Sequence, residues 1–266
     1  AITIISALVH ETIDNGPSNL EELETLFGSD VRNIVASLMK VNKLKLTDES
    51  ESTSIYLRKV LVALSEDVRV LIIKLAGRVH NMRTIDPFSK EKQRLKALET
   101  QNVLIPIAHR LGINQLKTEL EDMCFKVLKS DDYESVEESL PAPREKLNEI
   151  LEETKETITD VLKQNDINFE IKGRVKSTSS IYNKLTKGKK MSEIYDFIGL
   201  RIICEEESEC YLIIGLIHSL YRPIPKRFKD YISMPKGNSY QSLHTGVFGP
   251  EGFPVEVQVR TKEMNE

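Results

Sequence analysis

Two textures of hydrophobic and polar positions divide the chain. Up to about residue 165, apolar residues recur every three or four positions, the period that gathers them on one helix face. The pattern predicts a helix from Ile2 onward, short amphipathic helices over residues 20–27 and 31–41, then helices over 56–65 and 68–83. After Pro87 it predicts one unbroken helix over 90–111, closed by Gly112 as a C-cap, and another over 115–128. Pro141 and Pro143 punctuate the pattern. A helix over 144–164, dense in Glu and Lys, is expected to connect two domains.

From Asp166 the period changes. Residues 169–173 read as a strand, 178–185 as a helix, 200–204 as a β-branched strand and 210–221 as a buried helix. Pro223, Pro225, Pro235 and Pro250 bound loops. Residues 255–260 alternate strictly, so Glu256, Gln258 and Arg260 share one side of a strand and Val255, Val257 and Val259 the other. The expected architecture is an all-α domain over 1–137, a helical connector over 138–165 and an α+β domain over 166–266.

Composition narrows the class. A hydrophobic fraction of 40% supports a packed core in each domain. No apolar run approaches the roughly 20 residues needed to span a bilayer, so the expectation is a cytoplasmic protein with no membrane partner. The start inside a helical pattern and the abrupt end at Glu266 are those expected of a piece of a longer protein. Cys124, Cys204 and Cys210 have neither metal-site nor disulfide-framework spacing and read as buried thiols. Net charge is −4, yet residues 171–190 hold seven basic side chains and no acidic one. Such a block suits a polyanion, although a solvated basic surface has the same composition.

Candidate chemistry begins in that block. Arg174 and Lys176 share a side of an extended segment, and Ser180 and Lys184 share a face of the next helix. A strand feeding a helix N-terminus among cations makes a triphosphate cradle. Asp196 stands just before a strand, where a lone Asp is usually a cap or turn residue. If that strand lies beside the one carrying Glu256, the two carboxylates can hold one Mg²⁺ on a transferring phosphoryl group. Between them runs a polar segment with Lys229, Lys236, Asn238, Tyr240 and His244. Tyr240 offers a face for base stacking, and the cations offer phosphate contacts. For His244 the residue pattern alone favours a structural hydrogen bond at the start of a strand.

In consecutive order from Asp166 to the end, these segments resemble the synthetase domain of RelA/SpoT-type long alarmone enzymes, the (p)ppGpp synthetases of the stringent response. The resemblance implies a nucleotidyltransferase-like α+β domain with a mixed sheet. It places Arg174, Lys176, Ser180 and Lys184 on the ATP-binding stretch, with Arg201 stabilising charge on the phosphates. It places Asp196 and Glu256 on the magnesium and catalytic carboxylates. Tyr240 falls on the tyrosine that stacks on the acceptor guanine, with Lys229, Lys236, Asn238 and His244 around it. The implied reaction moves pyrophosphate from ATP to the 3′-hydroxyl of GDP or GTP, giving ppGpp or pppGpp. Ribosome or tRNA contact would run only through regions outside this chain. The stretch from Arg227 to Asp230 resembles the basic version found in bifunctional members. Ser239 stands where the family usually has glycine, and a serine restricts a turn that needs positive φ.

The helical half resembles the HD-type hydrolase domain of the same enzymes. The match runs through His10, Glu11, Asp14 and Asn15, and through the segment holding Gly77, Arg78, His80, Asn81 and Arg83. Active members bind Mn²⁺ through adjacent His and Asp ligands plus another Asp, with a Glu-Asp pair activating water. Here Glu11 replaces the ligand Asp, Asp14-Asn15 replaces the Glu-Asp pair, and Gly77 replaces the second-motif Asp. Loss of ligands argues against a working Mn²⁺ site. The expectation is a synthetase beside a lapsed hydrolase. Alternatives are a bifunctional enzyme with residual hydrolase activity, a nucleotide-sensing pseudoenzyme, and a nucleic-acid-binding module, which the net acidity disfavours.

Overall fold

The computed structural model describes residues 1–14, 19–43, 67–235, 237 and 239–265. It divides into two compact units, Ala1–Ser130 and Asp131–Glu266. Among the described residues, no helix is long and apolar enough to cross a membrane.

The first unit is helical: α1 (Ile2–Asp14), α2 (Leu20–Phe27), α3 (Ser29–Lys43), α4 (Val68–Arg83), α5 (Lys90–Glu99), α6 (Ile105–Arg110) and α7 (Asn114–Leu128). The helix expected over 56–65 lies outside the described residues. Asn19, Asp67 and Ser89 cap α2, α4 and α5 by accepting backbone N–H bonds. Leu38, Leu75, Leu104 and Leu120 meet in one core. Arg78 is buried within it, donating to Glu99 Oε2 (2.8 Å), the Lys96 carbonyl and Thr100 Oγ1 (both 3.1 Å).

One expectation is corrected here. The helix predicted unbroken over 90–111 opens into a π-turn at Thr100–Leu104 before α6 begins. Pro106 supplies the reason: it has no N–H for the ladder, and its ring clashes with the carbonyl four residues back.

The second unit begins with α8 (Ser130–Glu138) and α9 (Arg144–Gln164). Then come β1 (Phe169–Val175), α10 (Thr178–Leu185), β2 (Ile198–Cys204), α11 (Glu207–Leu220), β3 (Arg222–Pro223), β4 (Lys229–Asp230), β5 (Leu243–Phe248), β6 (Pro254–Thr261) and α12 (Lys262–Asn265). The sheet order is β1-β2-β6-β5-β3, with β4 also paired to β5. The β2/β6 pair is parallel and the others antiparallel, so the sheet is mixed, as the family resemblance implied.

One sheet face is apolar. Ile198, Leu200, Ile202, Val255, Val257 and Val259 share a core with Leu147, Ile150, Leu151, Ile158 and Leu162 of α9 and with Ile213 and Ile217 of α11. The segment expected as a connector therefore lies inside the second unit, because α9 is amphipathic and its apolar stripe covers this face. Gly173 permits the close approach. A Cβ there would sit 2.6 Å from Leu151 and 2.8 Å from Leu200. We predict that Ile150→Ala, which empties a fully buried site, costs the second unit about 2–5 kcal/mol, read as a lower urea midpoint.

Candidate active site

The opposite sheet face is polar, and strand register sets its layout. Directly paired residues project to the same side. One row across the sheet is Lys172, Arg201, Gln258, His244 and Lys229, each the registered partner of the next. The neighbouring row is Arg174, Gly199, Glu256 and Gly246. Gly199 leaves bare backbone between Arg174 and Glu256: a Cβ built on it meets nothing within 4 Å.

Asp196 lies just before β2, where Lys176 N donates to the Phe197 carbonyl at 2.7 Å. Its carboxylate accepts from Lys176 Nζ (2.7 Å) and from Lys184 Nζ (2.6 and 2.7 Å). Burial pushes the Asp196 pKa up, but the two lysine hydrogen bonds outweigh it and hold the carboxyl below the usual aspartate range. Burial pulls Lys176 below the usual lysine range despite the Asp196 bond. Ser180 is capped into α10 by Ser177, whose Oγ donates to Ser180 Oγ at 2.8 Å. Arg144 fixes the turn before α10. It pairs with Glu137 (2.7 Å) and donates to the Lys176 carbonyl and Thr178 Oγ1 (both 2.6 Å).

On the other flank, His244 Nδ1 is 3.6 Å from Glu256 Oε1. That neighbour holds the Glu256 carboxyl below the ordinary glutamate range, against burial and the negative charge of Asp196. Tyr240 Oη lies 2.8 Å from His244 Nε2, and Arg260 donates to it at 2.9 Å. Tyr231 packs edge-on against both rings. Asp230 shapes the loop before Tyr240 by accepting from the backbone of Ile232 and Ser233, each at 2.9 Å.

The structure thus brings Arg174, Lys176, Lys184, Arg201, Asp196, Glu256, His244, Tyr240 and Lys229 to one face and its margin. Lys236 and Asn238 lie outside the described residues. Sequence reasoning missed Arg144, Gly199 and the junction at Arg260. A basic residue at the start of a helix, just after Pro143, carried no signal of its own. The alternation placing Arg260 beside Glu256 was visible, but not its burial. The strain expected at Ser239 is present, since its φ is +60°.

In the first unit, His10, Glu11, Lys74, Gly77, His80 and Asn81 line a pocket of about 600 Å³. His10 Nδ1 donates to the Ala7 carbonyl at 2.8 Å, leaving Nε2 as the lone-pair nitrogen. Gly77 contributes no side chain, and a Cβ there meets nothing within 4 Å. Asn15 and the side chain of Asp14 lie outside the described residues. Among the described residues, no three His, Cys, Asp or Glu side chains are grouped to hold a metal. Asp196 and Glu256 are carboxylates of the kind that Mg²⁺ takes when phosphates and water complete its shell.

A family model described as the region found in RelA / SpoT proteins matches residues 173–266, and an HD domain model matches residues 1–114. The chain is 40% identical over 265 residues to the bifunctional (p)ppGpp synthase/hydrolase SpoT of Escherichia coli K12, covering 99% of this chain and 38% of that protein. It is 39% identical over 268 residues to a GTP pyrophosphokinase of Myxococcus xanthus, covering 99% and 35%. The solved small alarmone synthetase 2 from Bacillus subtilis is 30% identical, with 45% of this chain and 70% of that chain covered and a TM-score of 0.41. The chain belongs to the RelA/SpoT family and joins a helical HD region to an α+β synthetase region. It spans less than two-fifths of the length of these two curated relatives.

Two stability changes follow. Gly77→Ala, in mid-helix with open space around it, raises the stability of the first unit by about 0.5–1 kcal/mol. Ser239→Gly relieves about 1–2 kcal/mol of left-handed strain against about 0.5–1 kcal/mol of extra chain freedom. It therefore leaves the second unit slightly more stable in urea titrations.

Proposed function

We propose that this chain transfers the pyrophosphoryl group of ATP to the 3′-hydroxyl of GDP or GTP, and that its HD region does not hydrolyse the product. The observation that carries the reading is the polar sheet face. Two carboxylates stand ionised on it, flanked by cations on one side and an aromatic loop on the other. Arg174, Lys176, Ser180, Lys184 and Arg201 hold the ATP phosphates. Tyr240 stacks on the acceptor base, and Lys229, Lys236, Asn238 and His244 hold the acceptor nucleotide. Asp196 and Glu256 hold Mg²⁺, which when bound neutralises charge on the transferring group.

The acceptor 3′-oxygen bonds to the β-phosphorus of ATP as the bond from that phosphorus to the bridging α–β oxygen breaks. AMP leaves with the bridging oxygen. Glu256 accepts the hydroxyl proton, and the basic side chains stabilise the charge that develops on the phosphates. In the HD region, Gly77 and Asn15 remove a ligand and a carboxylate from the family pattern.

The test is incubation with ATP, GDP and Mg²⁺, followed by separation of AMP and a 3′-pyrophosphorylated product. Asp196→Asn is expected to lower turnover about 100-fold or more with the fold retained. No product from folded wild-type chain overturns the synthetase reading. Mn²⁺-dependent release of pyrophosphate from ppGpp overturns the hydrolase reading.

A further inference from the structure

The backbone of Lys176 is held from two sides. Its N–H donates to the carbonyl of Phe197, the residue after Asp196, at 2.7 Å. Its carbonyl accepts from Arg144 Nη1, at the start of α9, at 2.6 Å. Arg144 Nε and Nη2 fork onto the Glu137 carboxylate of α8 at 3.1 and 2.7 Å, and Nη2 also donates to Thr178 Oγ1 at 2.6 Å. Thr178 donates in turn to Glu137. The three side chains form a closed ring, each bonded to the other two.

Thr178 is fully buried in the first turn of α10, and the ring gives its hydroxyl both a donor and an acceptor. A forked guanidinium–carboxylate pair fixes angle as well as distance. The ring therefore sets the direction in which α10 leaves the turn. Further along, Tyr182 Oη donates to Asp132 Oδ2 at 2.8 Å, and Ile181 shares a small core with Val136, so α8 braces α10 over its length. Lys184 lies about 9 Å along α10 from Thr178 at 1.5 Å per residue. A small tilt at Thr178 is magnified there, at one of the two ammonium groups that meet on Asp196.

We propose that Arg144, closed into a ring with Glu137 and Thr178, is a positioning residue for the donor triphosphate: it fixes the Lys176 peptide and the tilt of α10, so that Lys176, Ser180 and Lys184 present a single cradle. The proposal deepens the synthetase reading and rests on it. A misplacement of about 1 Å in a positioned site can cost roughly 100-fold in rate.

The test compares the two substrates. Arg144→Ala opens the ring, Thr178→Val removes its hydroxyl while keeping a branched side chain, and Thr178→Ser keeps the hydroxyl. Under ATP, GDP and Mg²⁺, the first two variants are expected to raise KM for ATP about tenfold, with KM for GDP within about threefold of wild type. Calorimetric Kd for the α,β-methylene analogue of ATP, whose α–β linkage cannot break, should weaken in step, while Thr178→Ser stays near wild type. Loss of folded protein lowers kcat and the number of binding sites but moves neither KM nor Kd, so an ATP-selective change separates positioning from stability. If Arg144→Ala does not fold, Thr178→Val decides the question. Unchanged KM for ATP and Kd for the analogue overturn the proposal, as do equal rises in KM for ATP and GDP. Wild-type chain that binds the analogue but gives no product overturns the synthetase reading alone, and the Kd values still decide this one. Wild-type chain that binds no analogue overturns both.

Discussion

Everything in the second unit depends on the strict alternation along β6. Three valines send their side chains into the core under α9 and α11, and that burial fixes the register with β2 and β5. A slip of one residue would drive Glu256, Gln258 and Arg260 into the apolar layer and expose the valines. Burying three polar side chains without partners is far costlier than the loss of any one surface contact. The hydrophobic core therefore determines where the carboxylate stands, although it never touches it.

The same argument explains why the chemistry collects on one side. Helices cover a single sheet face, and the uncovered face has to be polar to meet water. Once Lys172, Arg174, Arg201, Glu256, Gln258 and His244 are on it, register alone puts them in rows. Loops then add Asp196, Lys176, Lys184 and Tyr240 at the margins. The site is a rigid sheet dressed by short connections, which keeps the charges in place without large loop-ordering costs.

Much of this was legible in the residue pattern. The alternation of β6 and the apolar runs of β2 and α11 were plain, as was the basic start of α10. The acidic helix α8 was not, because Ser130–Glu138 places only Val136 fully in a core. The strand β5 was hidden because His244, Thr245 and Gly246 interrupt an apolar pattern that only pairing with β6 completes. The helix α9 looked like a connector because its charge density masked the stripe from Leu147 to Leu162. At the site, residue types were readable but pairings were not. Nothing in sequence spacing says that Lys176 and Lys184 converge on one carboxylate, or that Arg260 reaches back twenty positions to Tyr240. Those are tertiary facts, set by how α10 and β6 lie on the sheet.

The clamp on Asp196 has a consequence for how the site loads. The two ammonium groups act as resident counter-ions, so the carboxylate is neutralised before any ligand arrives. On the proposed synthetase reading, a divalent cation arriving at Asp196 takes their place, and the evicted ammoniums become available to the nearest phosphate oxygens. Metal entry and triphosphate capture become two halves of one ion exchange. Each makes the other more favourable, and the obligation is reciprocal. On that reading, metal and nucleotide load together.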